Sequence, residues 1–94
     1  LSDKESLLRE LSGFKGKYLI HISSFRAIDR AKSETDYLLK NEFEAFIAKV
    51  DLGAKGIWFR VYCGPMDTRE RARELKLELD ELARVKFTRI TKVK

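Results

Sequence analysis

The stretch Gly56-Ile57-Trp58-Phe59-Arg60-Val61-Tyr62-Cys63-Gly64-Pro65 reads as a β-strand with two unlike faces. Side chains alternate across a pleated strand, so Trp58, Arg60 and Tyr62 share one face and Ile57, Phe59, Val61 and Cys63 the other. The aliphatic face suits a core. The aromatic and basic face suits a flat, partly apolar, anionic ligand. Proline cannot donate to a ladder, so the strand stops at Gly64-Pro65.

Working outward, Leu52-Gly53-Ala54-Lys55-Gly56 reads as a hairpin loop joining this strand to an earlier one over 44–51. From about 27 to 40 the apolar period becomes helical, with Ile28, Ala31, Thr35 and Leu38 in one stripe that Leu39 widens. Residues 18–23 alternate as a first strand, Tyr18, Ile20 and Ile22 against Leu19, His21 and Ser23. A short helix is expected over 3–11, capped by Ser2 or Asp3, lined by Leu7, Leu8 and Leu11, and closed by Gly13. Downstream, Asp67 precedes Glu70 in the spacing of a capping box, with Thr68 a competing cap. Ala72, Leu75, Leu79 and Leu82 form the buried stripe of that second helix. Its Arg69, Arg71, Arg73 and Lys76 alternate with acids, a solvated face laced with i to i+4 pairs. A last strand is expected over 86–92.

The resulting βαββαβ order predicts an α+β fold of the ferredoxin-like, RNP-like type. It is a four-stranded antiparallel sheet with both helices on one face, plus the short N-terminal helix. Right-handed crossovers place the first and third strands in the middle. The other face then presents His21 and Ser23 beside Trp58, Arg60 and Tyr62, unless the N-terminal helix lies over it. Residues 1–16 read as a helix and linker, and 17–94 as the domain.

At 94 residues the chain supports one core, burying roughly 60 to 65% of its unfolded surface. A net charge of +5 favours an anionic partner: nucleic acid, anionic glycan or acidic membrane surface. No apolar run is long enough to span a bilayer. Because the chain opens on Leu1 rather than Met, it is expected to be a fragment, with any membrane anchor or signal peptide upstream. One cysteine and one histidine give neither an internal disulfide nor a four-ligand zinc set. Cys63 shares its face with Phe59 and Val61 and reads as a small buried hydrophobe. With no Gly-rich phosphate loop, paired carboxylates or nucleophile elbow, the expectation is a binding protein rather than an enzyme, without cofactor or metal.

The segments Tyr18-Leu-Ile-His-Ile-Ser-Ser-Phe25, Trp58-Phe-Arg-Val-Tyr-Cys-Gly-Pro-Met66 and Thr68-Arg-Glu-Arg-Ala72 together resemble the SPOR (sporulation-related repeat) domain over about residues 17–92. In that family the first strand carries a hydrophobic pair around Gln, then Gly-Ser-Phe, and the third reads aromatic-aromatic-Arg-Val and ends in Gly-Pro-Phe. The family's Gln falls on His21, its Gly on Ser23, its Ser on Ser24 and its Phe on Phe25. The strand aromatic falls on Trp58, the Arg on Arg60, and the Gly-Pro on Gly64 and Pro65, with Met66 for Phe.

The resemblance implies a non-catalytic peptidoglycan-binding module that prefers glycan strands lacking stem peptides. It would help localise an envelope or cell-division protein to the septum. It further implies an extracytoplasmic or periplasmic location, envelope or divisome partners for the parent protein, and a glycan site at His21, Ser23, Ser24, Trp58, Arg60 and Tyr62.

The chemistry is coherent. A sugar has an apolar C–H face and a polar rim, which suits an indole plate at Trp58 with hydrogen-bonding groups at His21, Ser23 and Ser24. Removing the stem peptide leaves each muramic acid with a free lactyl carboxylate, which Arg60 could clamp through two charge-assisted bonds. An ordinary imidazole at His21 would gain charge near pH 6 and strengthen that attraction. Alternatives stand beside each reading. Trp58 is also read as core under the N-terminal helix, Arg60 as the partner of a neighbouring carboxylate, His21 as an ordinary strand residue, and Tyr62 as a filler of the sheet face. The rival functions are an RNA-recognition-like domain binding single-stranded RNA, and a protein-interaction module using the leucines or the open sheet.

Overall fold

Alternation in the strands and a 3.6-residue stripe in the helices produce one sheet with one helical layer. The computed structural model describes residues 7–82 and 84–94. Strand β1 (Tyr18–Phe25) leads to helix α1 (Ile28–Lys40), strands β2 (Ala45–Asp51) and β3 (Ile57–Met66), helix α2 (Arg69–Asp80) and strand β4 (Arg89–Lys92). The sheet order is β2-β3-β1-β4 with antiparallel neighbours throughout, so the first and third strands are central. A single-turn 3-10 helix at Gly53–Lys55 makes the β2–β3 connection, closed by Leu52 N–H donating to Gly56 O at 2.9 Å.

Both helices bury their stripes on one face of the sheet. Ala31 and Leu38 of α1 and Leu79 of α2 share a cluster with Ile20, Ile47 and Val61, each large aliphatic contributing about 1.5–3 kcal/mol by leaving water. Thr35 is tolerated inside because its Oγ1 donates to Ala31 O at 2.8 Å. Leu39 falls outside the stripe and is exposed. Of the two competing caps on α2, Thr68 holds the position, its Oγ1 accepting from Arg71 N–H at 3.2 Å. Asp67 instead pairs with Lys17. Arg84, beyond α2, fastens to α1: its Nε lies 3.4 Å from Glu34 Oε1 and its guanidinium 4.9 Å from the Tyr37 ring. That pairing accounts for an almost buried carboxylate at Glu34.

The N-terminal segment differs from expectation. Ser2, Asp3 and the rest of 1–6 lie outside the described residues, but Leu7 lies in a turn and Leu8 in a β-bridge, and 7–10 are not helical. Leu8 forms a parallel bridge with Ile47; Ile47 N–H donates to Leu7 O and Arg9 N–H to Ile47 O, both at 2.9 Å. Edge strand β2 offers unpaired backbone groups that an extended segment satisfies, whereas a helix of two turns is marginal by itself. The short helical element appears a few residues later, as a 3-10 turn at Leu11–Phe14.

Two irregularities interrupt the β1–β3 ladder. Between His21 opposite Tyr62 and Ser23 opposite Val61, β1 advances two residues while β3 advances one. This bulge at Ile22 turns Ile22 and Ser23 toward the same side. The second lies at Gly64, whose φ of 126° excludes other residues without strain. A Cβ there would stand 3.1 Å from Tyr18 O and 3.2 Å from Leu19 Cδ2.

Candidate functional site

The face opposite the helices is built in rows across the strands. One row runs Phe46, Tyr62, His21 and Arg89; the next runs Ala48, Arg60 and Ser24; beyond it Val50 stands opposite Trp58. The first row is a ladder of rings. Phe46 and Tyr62 stack at 5.7 Å, Tyr62 and His21 lie 5.3 Å apart, and Phe87 meets His21 edge-on at 6.4 Å. Phe14, from the N-terminal turn, stacks on Phe46 at 4.9 Å. Hydrogen bonds between Gly16 N–H and Val93 O (2.8 Å) and between Val93 N–H and Lys17 O (2.9 Å) tie this segment to Val93, the residue that follows β4.

The consequence is a second, smaller core of Leu19, Phe46, Ala48 and Tyr62 under Leu11, Phe14 and Val93. Tyr62, on the open-face parity as expected, is only 4% exposed, so it is a filler of the sheet face and not an outward platform. Ser23, expected beside His21 on that face, pairs instead with Val61 of the helix-side core. The bulge reverses its direction, and its Oγ is buried without a hydrogen-bond partner among the described residues. Ser24 takes the vacated place.

What the cover leaves accessible is the row of Ser24 and Arg60 with Trp58 beyond it. Arg60 faces Ala48 and Ser24 across the ladders, so no carboxylate opposes it there, and its Nε is buried without a hydrogen-bond partner among the described residues. Trp58 is half-buried. Its indole N–H donates to Lys55 O at 3.0 Å, and the Arg26 guanidinium packs 5.2 Å from the ring centroid. The His21 Nε2 and Ser24 Oγ are 3.0 Å apart, which fixes the imidazole between Tyr62 and the edge of Phe87.

Burial, more than any other influence, holds the His21 pKa below its ordinary value; the Arg60 charge adds to this, Arg89 adds less, and a backbone hydrogen bond with Ser23 opposes. The expected gain of charge near pH 6 is therefore corrected: the imidazole stays neutral to lower pH. On the opposite side of the sheet, burial and then the Glu34 charge push the Cys63 thiol up to about 12, the signature of an inert packing residue.

Sequence reasoning missed Phe14, Phe46 and Phe87. Phe46 was detectable, since it lies opposite Tyr62 in any regular β2–β3 hairpin; Phe14 and Phe87 belong to irregular segments with no period to read. No helix among the described residues is long and apolar enough to cross a membrane.

Comparison with known proteins agrees with this architecture. The model of one protein family, described as SPOR domain, matches residues 15–87, from the end of the N-terminal turn to the entrance of β4. No curated protein and no solved structure matches the chain. With most of its length covered, and with β1 and β3 as the central strands of a βαββαβ sheet, the chain belongs to the SPOR domain family, a family of peptidoglycan-binding domains.

Proposed function

We propose that this domain binds peptidoglycan through the sheet face opposite its helices, that it prefers glycan strands stripped of stem peptides, and that it thereby helps localise an envelope or cell-division protein. The observation that carries this reading is Arg60. A half-buried guanidinium on the open face has Ser24 and Ala48 opposite it across the ladders and no carboxylate there. A cation without an opposing acid on an open face suits an anionic ligand. Beside it, Ser24 and His21 offer groups for a sugar's hydroxyl and N-acetyl rim, and the half-buried indole of Trp58 offers an apolar plate.

The contacts are assigned to His21, Ser24, Trp58 and Arg60. Tyr62 serves as floor, and Ser23 acts through the bulge that aims Ser24. Stem removal exposes a carboxylate on every muramic acid, which converts a neutral sugar chain into a polyanion that a domain of charge +5 attracts. The location that follows is extracytoplasmic. Any membrane attachment would come from outside these residues, and divisome or envelope proteins would meet the parent protein rather than this face. Single-stranded RNA is disfavoured by the cover on Tyr62, since base stacking on a central strand needs an exposed ring.

Co-sedimentation with purified sacculi tests the reading. The domain is expected to pellet more strongly after amidase treatment. Equal retention by treated and untreated sacculi would remove the preference for stripped strands.

A further inference from the structure

The two edges of the sheet are finished differently. On β2 the N-terminal segment takes the outward N–H and C=O of Ile47, through Leu7 and Arg9. β4 ends the strand order on the other side and has no strand beyond it. Val93 turns its N–H and C=O inward, to Lys17 O and Gly16 N–H. Backbone groups alternate in direction along a strand, so those of Ile90 and Lys92 point outward, where they have no backbone partner among the described residues. An edge in this state is a template for another strand.

Charge decides which strand it admits. Beyond Leu82 the only charged side chains are Arg84, Lys86, Arg89, Lys92 and Lys94. Arg84 is taken up by Glu34, but Lys86, Arg89 and Lys94 have no ion-pair partner among the described residues. Arg89 stands in the His21 row of the open face and Lys92 beside the Tyr18 ring on the helix side, so the edge is cationic on both faces. Pairing β4 with the β4 of a second copy would set cation against cation, which opposes self-association. An acidic strand meets the opposite field. Phe87, 54% exposed just ahead of β4, adds an apolar contact at one end.

We propose that the β4 edge is a docking site for an extended acidic segment of another protein, which adds to the sheet as a further strand. Its main chain bonds to Ile90 and Lys92, and its carboxylates lie against Arg89 and Lys92. The inference is independent of the glycan reading, since it uses the rim of the sheet and leaves Ser24 and Trp58 uncovered.

The test is a titration of the 94-residue chain, followed by amide chemical shifts and hydrogen exchange, with three capped peptides: alternating Glu and Val, the same peptide with proline in place of every second valine, and alternating Lys and Val. The Glu-Val peptide is expected to bind about tenfold tighter than its proline counterpart of equal charge, the scale of one or two ladder hydrogen bonds. Shifts should centre on Arg89–Lys92, with slowed exchange of the Ile90 and Lys92 amides. Arg89 and Lys92 are exposed, so the double variant Arg89→Glu, Lys92→Glu should fold, and it is expected to exchange the preference, taking the Lys-Val peptide and losing the Glu-Val one. Equal binding of the Glu-Val and proline peptides would reduce the contact to charge attraction and overturn strand addition. No binding of the Glu-Val peptide, shifts centred away from β4, or a dimer of the chain alone in sedimentation would overturn it as well.

Discussion

Trp58 and Arg60 differ in what their removal should do. The indole is half-buried, and its neighbours are a loop carbonyl and Arg26, so Trp58→Ala is expected to leave the far-ultraviolet circular dichroism intact while cutting glycan affinity about tenfold. Loss of the folded spectrum would assign Trp58 to the core instead. His21 has a pH signature of known sign. Its folded pKa is below the ordinary 6.5, so on acidification through that value the unfolded chain takes up a proton before the native one does. Stability is therefore lost as pH falls from 6.5 through the folded pKa. Thermal melts should show this decline, and His21→Gln should lessen it; an identical decline in that variant would assign the effect to other groups. Cys63 should resist thiol reagents until the domain unfolds, because burial holds it as the thiol; rapid labelling under native conditions would contradict its packing.

The strands and helices were legible because each carries enough large apolar residues for its period to be unambiguous: Ile20 and Ile22 against His21, or Ala72, Leu75 and Leu79 on one side of α2. The bulge at Ile22 was not, since Ser23 and Ser24 give no hydrophobic contrast to reveal which of them faces the core. This is why the expected contact at Ser23 passes to its neighbour. Leu7, Leu8 and Leu11 fit a helical stripe, but the open edge of β2 supplies hydrogen bonds that a short helix lacks, and tertiary pairing prevails over local period. Thr68 and Asp67 were both plausible caps by spacing; Thr68 takes the Arg71 N–H while Asp67 is drawn off to Lys17, a residue remote in sequence. Thr68→Ala should cost about 1 kcal/mol in chemical denaturation, whereas Asp67→Ala should leave the capping hydrogen bond in place. The bend at Gly64 was marked in sequence only as a strand end; its φ of 126° and the 3.1 Å approach to Tyr18 O predict that Gly64→Ala costs about 1–3 kcal/mol. A neutral effect there would show that β3 relaxes around the added methyl.

Taken together, the fold separates two duties. One face of the sheet is closed by α1 and α2 and supplies most of the apolar burial; the other is closed only in part, by the turn at Leu11–Phe14. That partial cover was the feature least accessible to sequence reasoning, because it depends on Phe14 meeting Phe46 from a segment without regular period. It turns a flat slab into a groove lined by Leu11, Lys15, Arg60 and Lys94. On the proposed function, that surface is where the sugar chain docks. Amide chemical shifts recorded during titration with stripped glycan oligosaccharide test this most directly. Perturbations are predicted to concentrate at His21, Ser24, Trp58 and Arg60, and shifts confined to α1 and α2 with the sheet face unmoved would contradict it.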